Sequence, residues 1–434
     1  MRVLSNTVKD HIDKTVHIEG WLHKKRLLGG LTFINVRDRH GLVQVVINDK
    51  AEVEKLRGLQ IGTVLAVDGK VVAEPRAPGG AELHEPSITV LVPVHEEPPI
   101  EIDKPLSHKP DNLDTLFDHR VLGLRNLDEA KIFRLRSELL RYIREFLYKH
   151  DFVEINTPKL VAGAAEGGAE VFKTDYFGKE ATLAQSPQLY KQIMVGVFER
   201  VFEIAPAFRA ELSATTRHVS EVTMLDVEMG FIKSHDDVLK LLQDLVYDVL
   251  TRLYSEHADE LKSLHAPELK LTPEFPRYTM AEIHKMYQEE TGKDMSQETD
   301  LIPEEEKWIC EYAKEKHNSE AVFATGLPAS KMKFYHMKGE DETARSADLL
   351  FRGIEISTVP QREHRHEQLI AQMKAAGIDP ENSGFAAFVT AMKHGLPPHG
   401  GFGFGIDRLT EKAIGLGNVK EAILFPRDIN RLTP

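Results

Sequence analysis

The sequence predicts an α+β protein: an N-terminal five-stranded β-barrel followed by a larger domain in which helices flank an antiparallel sheet. Three observations predict this architecture. Short β-rich runs occupy roughly the first 95 residues, a proline-spaced polar segment follows, and strand-like runs then alternate with long amphipathic helical patterns. A length of 434 residues allows two or three domains with sizeable cores. We expect domains at 1–95 and 130–434, joined by a hinge at 96–129.

The composition narrows the class of protein. Cys310 is the single cysteine, which excludes an intrachain disulfide and a cysteine-based zinc site and suits a reducing compartment. The first residues lack the apolar stretch of a secretory signal, and no run approaches the ~18 apolar residues of a membrane span. We therefore expect a cytoplasmic protein with no membrane partner.

The charge is unevenly distributed. The net charge of −13 argues against a protein that coats nucleic acid without specificity. Residues 1–90 nevertheless carry 13 Lys and Arg against 11 Asp and Glu, whereas the rest of the chain carries 42 against 57. A run of three basic residues, 24–26, lies in this first part. The small domain can therefore contact a polyanion, although the run could also be a solvated surface.

The barrel is predicted by five short runs separated by Gly, Asp-Arg and Pro-Gly turn signals. The runs are TVHIEGWLH, LTFINVRD, LVQVVIN, TVLAVDGKVVA and SITVLVPV. Such a series most simply forms an OB-type barrel, which binds oligonucleotides or oligosaccharides on one face. The segment EEPPIEIDKPLSHKPDNL is then predicted to be a linker, because its prolines cannot continue a strand or helix.

The larger domain begins with a helical pattern from Ala130 to about His150, followed by a strand that Pro158 closes. Further strands are expected in RVFEIAPAF, MLDVEMGF and DLLFRGIEIST, with helices in DDVLKLLQDLVYDVLTRLYSEH, PEEEKWICEYAKEKH and HEQLIAQMKAAG. The strands lack the βαβ rhythm of a parallel sheet, and several are close enough for hairpins. We therefore expect antiparallel pairing.

One chemically dense stretch is FRAELSATTRHVSEVTMLDVEMGF. It places Arg209, Glu211, Arg217 and His218 on or beside a loop between two strands. The planar fork of arginine donates two parallel hydrogen bonds and stays charged, which suits phosphate. The residues alone allow either a polyphosphate grip or a surface hairpin with a salt bridge.

A second stretch is SADLLFRGIEISTVPQREHRHE. A tight turn at 352–353 could bring Asp348 and Glu355 onto neighbouring strands, where two carboxylates would hold Mg²⁺ beside bound phosphates. His364 and His366 are expected to be surface histidines, because a pair without cysteine is a weak transition-metal signal.

A third stretch, PPHGGFGFGIDRLTEKAIG, has glycines that allow a ligand close to the backbone, and Asp407 and Arg408 open a helix. Its spacing does not fit the dinucleotide fingerprint. Taken together and in this order, the stretches resemble the motifs of class II aminoacyl-tRNA synthetases: FRAE with the following Arg217 and His218 resembles motif 2, and GFGFGIDRL resembles motif 3. Residues 141–158 resemble motif 1, the dimer element. The barrel and the terminal FPRDINRLTP extend the resemblance to the aspartyl and asparaginyl subgroup over the whole chain.

Within the subgroup, QSPQLYKQ at 185–192 resembles the aspartyl signature, and EGGAEVF from Glu166 resembles a mobile loop that closes over the amino acid. Lys191 and Arg362 would supply two positive charges for the aspartate side chain, whereas an amide ligand would leave charge unpaired. Two positions depart from the subgroup. The segment 358–360, Thr-Val-Pro, makes the pocket floor stiffer, and Val222 stands where many relatives have an aromatic residue near the adenine.

The resemblance implies activation of L-aspartate with ATP to aspartyl-adenylate, followed by transfer to tRNA. It assigns aspartate binding to Glu166, Gln188, Lys191, Arg209, Thr358 and Arg362. It assigns ATP binding to Arg209, Glu211, Arg217, His218, Glu355, Gly405, Asp407 and Arg408, with Arg209, Glu211 and Arg408 as catalytic residues. It assigns Mg²⁺ to Asp348, Glu355 and Thr358. Since no general base is obvious, catalysis would be positioning and charge stabilisation.

The resemblance also implies partners. His23 and Pro78, in GWLHKKR and APGG, match members of the subgroup that aspartylate both tRNA(Asp) and tRNA(Asn), so we expect both tRNAs as substrates. A homodimer and a functional link to a tRNA-dependent amidotransferase follow. An enzyme strict for tRNA(Asp) stays open as an alternative.

Two functions of a different class fit the sequence less well. A synthetase-like enzyme that amidates aspartate generally lacks a barrel such as residues 1–95. A catalytically silent nucleic-acid-binding protein would have no reason to keep Arg209, Glu211, Glu355 and Arg408 together.

Overall fold

The computed structural model describes residues 1–28, 31–104, 110–162, 170–213, 215–295, 298–339, 343–381 and 384–434. It divides into two compact units, Met1–Ala130 and Lys131–Pro434. Among the helices in this described part, none combines the length and the apolar character that crossing a bilayer requires.

The first unit contains a closed five-stranded barrel, as predicted. Its strands are β1 (Thr15–Leu28), β2 (Leu31–Arg37), β3 (Leu42–Ile47), β4 (Val64–Ala73) and β5 (Ala81–Val92), and helix α1 (Lys50–Arg57) connects β3 to β4. The strand order around the barrel is β1, β2, β3, β5, β4. All pairs are antiparallel except β3 with β5. Alternate residues such as Ile34, Val36 and Val45 point inward and are buried, which is the period of two that a barrel strand requires.

Two details of the first unit differ from the sequence prediction. Helix α1 was not predicted; Asp49 precedes it as the N-cap, and the Asp49 side chain accepts hydrogen bonds from the first-turn backbone amides. Part of the segment predicted as a linker is also helical. Helices α2 (Pro110–Asp118) and α3 (Arg120–Gly123) lie there, and a proline is tolerated at the first position of a helix because that amide needs no partner.

The second unit is built on an eight-stranded sheet. Its strands, with those of a separate small sheet, are β6 (Val153–Glu154), β7 (Leu160–Val161), β8 (Lys173–Tyr176), β9 (Lys179–Leu183), β10 (Arg200–Phe208), β11 (Glu221–Gly230), β12 (Arg277–Thr279), β13 (Ala321–Thr325), β14 (Ser346–Phe351), β15 (Ile354–Pro360) and β16 (His399–Gly405). The large sheet has the order β12, β13, β14, β15, β16, β11, β10, β6, and the small one β7, β9, β8. The predicted antiparallel pairing is confirmed from β13 through β10, whereas the edge pairs β12–β13 and β6–β10 are parallel.

Helices flank this sheet, as predicted. They are α4 (Leu127–Lys149), α5 (Gln188–Phe198), α6 (His235–Glu256), α7 (Ala258–Ser263), α8 (Met280–Thr291), α9 (Pro303–His317), α10 (His366–Ala375), α11 (Ala386–Lys393) and α12 (Ile406–Ile414). Short 3₁₀ helices lie at Ser5–His11, Pro78–Gly80, Ala329–Lys331 and Val419–Ala422. The strand predicted after α4 is only two residues long, and Pro158 lies beyond it.

The main core lies between one face of the large sheet and helices α4 and α6. Apolar residues at intervals of three and four, such as Leu135, Leu139 and Leu242, bury one stripe of each helix. They pack on alternate residues of the strands, such as Val227 and Phe402. Because strand side chains alternate, the intervening residues of β11 and β16 face away from this core, and the candidate site forms there.

Candidate functional site

A cavity of about 250 Å³ opens on the sheet face opposite the main core. Strands β11, β15 and β16, helices α5 and α12, and the connection between β10 and β11 supply its walls. Most of the residues predicted to bind substrates line this one cavity. They are Gln188, Arg209, Glu211, Arg217, His218, Glu355, Thr358, Arg362, Gly405, Asp407 and Arg408.

The alternation Gly-Phe-Gly-Phe-Gly in β16 explains how the sheet opens here. Phe402 and Phe404 are buried in the core, whereas the glycines face β11 or the cavity. At Gly401 a Cβ atom would lie 2.0 Å from the carbonyl oxygen of Val227 and 2.5 Å from Glu228 Oε2. Glycine is therefore required for β16 to approach β11, rather than only for a ligand to approach the backbone.

At the cavity wall, two cations and two carboxylates form a buried cluster. Lys191 Nζ donates to Asp226 Oδ1 at 2.9 Å and to the carbonyl oxygen of Phe402 at 2.9 Å, and lies 3.6 Å from Glu228 Oε2. Arg362 donates Nε and Nη2 to the two oxygens of Glu228, at 2.9 and 3.1 Å. Burial alone would raise the pKa of Glu228, but the charges of Arg362 and Lys191 hold this pKa below its usual value.

The two cations predicted to bind aspartate, Lys191 and Arg362, differ in their access to the cavity. Arg362 and Asp226 line the cavity, whereas Lys191 is not among its lining residues. The sequence analysis missed Asp226 and Glu228. Their signal was present, because two carboxylates two residues apart in the apolar strand MLDVEMG must share one face. The two cations are thus held in place before any ligand binds.

The loop between β10 and β11 brings its charged residues into the cavity. Arg209 Nη1 lies 4.0 Å from Glu211 Oε1, and His218 Nε2 lies 3.6 Å from Glu211 Oε2. The His218 Nδ1 atom is 2.6 Å from the hydroxyl of Thr215. All four residues line the cavity, and the Arg209–Glu211 ion pair is also present, so the polyphosphate grip and the hairpin with a salt bridge both stay open at this point.

Two further arginines are anchored at the same end of the cavity. Arg217 donates Nη1 to Glu306 Oε2 at 2.8 Å and Nη2 to the carbonyl oxygen of Gly353 at 3.2 Å. Arg408, in the first turn of α12, donates Nη1 to the carbonyl oxygen of Glu355 at 2.9 Å. Protein contacts thus restrain both guanidinium groups before a ligand binds.

The hairpin of β14 and β15 places the two carboxylates predicted for a cation site, Asp348 and Glu355, on adjacent antiparallel strands, although only Glu355 lines the cavity. Arg352 and Gly353 both adopt positive φ, 48° and 80°, and turn the chain so that Asp348 pairs with Thr358 across the hairpin. The Thr358 hydroxyl donates to Glu355 Oε1 at 2.9 Å, and Glu355 lines the cavity.

Asp348 supplies the test of whether these residues suit a cation. Burial and the charge of Glu355 raise the pKa of Asp348 well above its usual value. Its Oδ1 atom is buried without a hydrogen-bond partner in the described part of the chain. A buried, unpaired carboxylate oxygen beside a second carboxylate and a hydroxyl fits Mg²⁺, which needs few protein oxygens. Within the residues that the structure describes, no group of three or more His, Cys, Asp and Glu forms a metal site.

Asp407, another residue predicted to bind ATP, makes its hydrogen bonds within the protein. Asp407 accepts hydrogen bonds from Arg136 and, at 2.7 Å, from the backbone amide of Thr223, so it ties α12 to α4 and β11. His364 and His366, expected at the surface, are both half-buried where the chain turns into α10. Glu166 lies outside the described residues.

Some lining residues were not predicted. Ser186, Lys333, Tyr335 and His336 all face the cavity. The Tyr335 ring lies 5.5 Å from the guanidinium carbon of Arg362. Lys333, Tyr335 and His336 come from an irregular segment without a hydrophobic period, so the sequence carries no signal that would place them there.

The two positions that depart from the subgroup also lie at the cavity. Val222 and Pro360 are both lining residues. Each therefore stands where it can affect substrate contacts.

In the first unit, a shallow groove of about 30 Å³ lies on the barrel. It is lined by Lys24, Arg26, Phe33, Asn35 and Gln44. The run of three basic residues at 24–26 thus lies on strand β1, which ends at Leu28. An aromatic ring between cationic and amide side chains can stack on a single-stranded base and hydrogen-bond to its edge.

Neither of the two residues predicted to discriminate between tRNAs, His23 and Pro78, is among the residues that line this groove. His23 lies in β1 at a bulge and is buried, not a surface strand residue. Burial lowers the pKa of His23, and the nearby charge of Arg37 lowers this pKa further. Pro78 is half-buried at the start of a short turn in which Gly79 has φ 74°.

Comparisons with known proteins find a matching family for each of the two units. A family model described as class II tRNA synthetases (D, K and N) matches residues 112–429, and a model for an OB-fold nucleic acid binding domain matches residues 16–91. An aspartate–tRNA(Asp/Asn) ligase from Thermus thermophilus is 44% identical over the full length of both chains. An aspartate–tRNA(Asp) ligase from Pyrococcus abyssi is 40% identical, over 97% of this chain and 96% of that one.

Solved structures agree as well. The asparaginyl-tRNA synthetase from Pyrococcus horikoshii complexed with asparaginyl-adenylate superposes over all of both chains, with a TM-score of 0.91 and 30% identity. An aspartyl-tRNA synthetase from Entamoeba histolytica has a TM-score of 0.87 at 27% identity, over all of this chain and 93% of that one.

Proposed function

Since this chain belongs to the class II tRNA synthetases of the D, K and N family, we propose that it activates L-aspartate and transfers it to tRNA(Asp) and tRNA(Asn). An aspartate carboxylate oxygen attacks the α-phosphorus of ATP, and the bond to the β-phosphate breaks, releasing pyrophosphate. A ribose hydroxyl of the tRNA then attacks the acyl carbon, and AMP leaves. The buried cluster of Lys191, Arg362, Asp226 and Glu228 carries the choice of amino acid.

Selection of aspartate over asparagine follows from that cluster. Arg362 faces the cavity, where its guanidinium group can pair with a ligand carboxylate, whereas a neutral amide gains less from that charge. Gln188 lines the same region, and its buried Nε2 atom has no hydrogen-bond partner in the described part of the chain. We assign Gln188, together with Glu166 and Thr358, to contacts with the amino acid.

We assign the triphosphate of ATP to the end of the cavity that Arg209, Arg217 and Arg408 line. Arg209 stabilises the negative charge that develops on the α-phosphate, while Arg217, His218 and Arg408 contact the remaining phosphates or the adenine. Glu211 orients Arg209 and His218, which it approaches within 4.0 and 3.6 Å. Gly405 and Asp407 shape the wall beneath them.

We assign the magnesium ligands to Asp348, Glu355 and Thr358. Bound Mg²⁺ would neutralise phosphate charge at that end of the cavity. The chain's own part is to hold two carboxylates and a hydroxyl on the β14–β15 hairpin, where the Oδ1 atom of Asp348 is buried and has no hydrogen-bond partner among the described residues.

A homodimer is supported by exposed apolar side chains. Tyr148 on α4 and Val153 on β6 are exposed, as are Val197 and Phe198 at the end of α5. Large exposed apolar residues grouped on neighbouring elements are typical of interaction surfaces. We therefore assign this patch, which contains part of 141–158, to contact with a second copy of the chain.

Activity on tRNA(Asn) would yield aspartyl-tRNA(Asn), which a tRNA-dependent amidotransferase must convert to asparaginyl-tRNA. His23 and Pro78 support the dual specificity through their resemblance to enzymes of that kind. A relative named for both tRNAs and one named for tRNA(Asp) alone match over nearly the whole chain. An enzyme that charges tRNA(Asp) alone is therefore the alternative that the charging experiment must distinguish.

The test has two steps. Exchange of labelled pyrophosphate into ATP should require aspartate and Mg²⁺ and should fail with asparagine; exchange without an amino acid preference would overturn the assignment. Charging transcripts of both tRNAs side by side then decides specificity. Efficiencies within about 100-fold, roughly 2.7 kcal/mol, support dual specificity, and a larger loss with tRNA(Asn) shows a strict enzyme.

A further inference from the structure

Helix α9 brings an acidic residue to the phosphate end of the cavity. The helix buries Ile309, Cys310 and Ala313 against β13 and β14, which fixes its position on the sheet. Glu306 lies one turn before that apolar stripe, and its side chain is 14% exposed. Neither the sequence motifs nor the proposed reaction assigns a role to this carboxylate.

The contact of Glu306 is with a phosphate-end arginine. Arg217 Nη1 donates to Glu306 Oε2 at 2.8 Å, while Nη2 donates to the carbonyl oxygen of Gly353 at 3.2 Å. Gly353 lies in the turn of the hairpin that carries Asp348 and Glu355. Two anchors on different elements therefore restrain one guanidinium that lines the cavity.

The charges around Glu306 belong to the same end of the cavity. Burial raises the pKa of Glu306, the contact with Arg217 opposes that rise, Glu355 adds to it and Arg408 opposes it. The carboxylate therefore lies within the field of the residues assigned to the triphosphate and the cation.

We propose that Glu306 is a positioning residue that holds Arg217 ready for the triphosphate of ATP. Arginine has a long, flexible side chain, and fixing it before the ligand arrives removes an ordering cost from binding. The inference rests on the proposed assignment of this cavity end to ATP. It predicts that loss of Glu306 weakens binding of ATP and leaves binding of the amino acid unchanged.

The experiment compares variants in aspartate-dependent pyrophosphate exchange. Glu306→Ala should raise KM for ATP about 10-fold and change KM for aspartate less than about 2-fold, the loss expected when one charge-assisted contact no longer orders its partner. Glu306→Gln keeps an acceptor for Arg217 and should recover most of the loss. Glu304→Gln, at an exposed position on the same helix, is the matched control and should resemble the wild type.

A double-mutant cycle separates positioning from a general structural role. In an Arg217→Ala background, Glu306→Ala should not raise KM for ATP further, because its partner is already gone. Additive losses, equal changes in both KM values, or a lower KM for ATP would each overturn the inference. Absence of exchange in the wild type would instead overturn the proposed function.

Discussion

At the scale of single residues, the amino-acid pocket depends on paired buried charges. Lys191, Asp226, Glu228 and Arg362 are all nearly inaccessible, and each has a partner of opposite sign. Removing one member leaves a buried charge uncompensated, which is far more costly than losing a surface ion pair. The cluster therefore serves stability and specificity together.

Lys191→Met should consequently lower the free energy of unfolding by about 3 kcal/mol or more, because Asp226 loses the ammonium group that now donates to it. Urea unfolding measures the loss. Adding Asp226→Asn to the variant removes the negative charge that faced the ammonium group and should recover part of the stability. If Lys191→Met alone unfolds like the wild type, the cluster is not held by this ion pair.

At the scale of elements, β16 shows how one strand serves two environments. Phe402 and Phe404 fill the core, while Gly401 admits β11 and Gly403 and Gly405 face the cavity. The glycine motif is therefore a packing requirement as well as a binding surface.

Gly401→Ala should destabilise the protein by roughly 3 kcal/mol, because its Cβ would overlap the backbone of β11. Gly403→Ala is the matched control on the same strand, since its nearest contacts would be ordinary, at 3.5 and 3.7 Å. Thermal unfolding of the two variants should separate them clearly. Equal unfolding temperatures would refute the packing argument.

The start of α6 carries a pH-dependent contact. His235 Nε2 lies 2.6 Å from the carbonyl oxygen of Val359, and burial lowers the pKa of His235 below its usual value. As the pH falls, the unfolded chain therefore binds a proton at this histidine before the folded chain does. The contribution to stability is complete above the ordinary histidine pKa of about 6.5 and is lost as the pH falls below it.

His235→Gln, whose amide can still donate to Val359, should unfold with a weaker pH dependence between about pH 6.5 and 5 than the wild type. Urea unfolding at several pH values measures the slope. An unchanged slope would show that His235 does not contribute to acid sensitivity.

At the scale of the whole molecule, the two units have separate tasks. The barrel carries the groove of Phe33 and Gln44 with its cationic rim, whereas the described residues that line the substrate cavity all belong to the second unit. A change in the groove should therefore affect the use of tRNA and not the activation of aspartate.

Phe33→Ala should raise KM for tRNA at least about 5-fold, since stacking of a base on an aromatic ring contributes roughly 1–3 kcal/mol. Pyrophosphate exchange without tRNA should be unchanged. Lys70→Ala, at an exposed position of β4, is the control. A fall in exchange activity, or no change in KM for tRNA, would contradict the role of the groove.

Local sequence patterns were sufficient to predict many of the strands, helices and turns. Short β-rich runs between turn signals located the barrel strands, amphipathic patterns located α6 and α9, and the Arg352–Gly353 pair located a hairpin turn. Arg209, Glu211, Arg217 and His218 were also identifiable, because all four belong to one continuous stretch of the sequence. These features depend on residues close in the chain, where stereochemistry and solvation act directly.

Only the tertiary structure decided which distant residues meet. Lys191 reaches Asp226 across 35 positions and Arg362 reaches Glu228 across 134, while Arg217 reaches Glu306 across 89. His23 carried a motif in the sequence, yet the bulge in β1 and the barrel packing decided its burial. The sequence by itself determined most of the longer elements and the types of chemical group, because these follow from local periodicity and side-chain chemistry, whereas the short helices α1, α2 and α3 were missed. The pairing of buried charges depends on how the sheet brings its strands and helices together, and no local pattern specifies that.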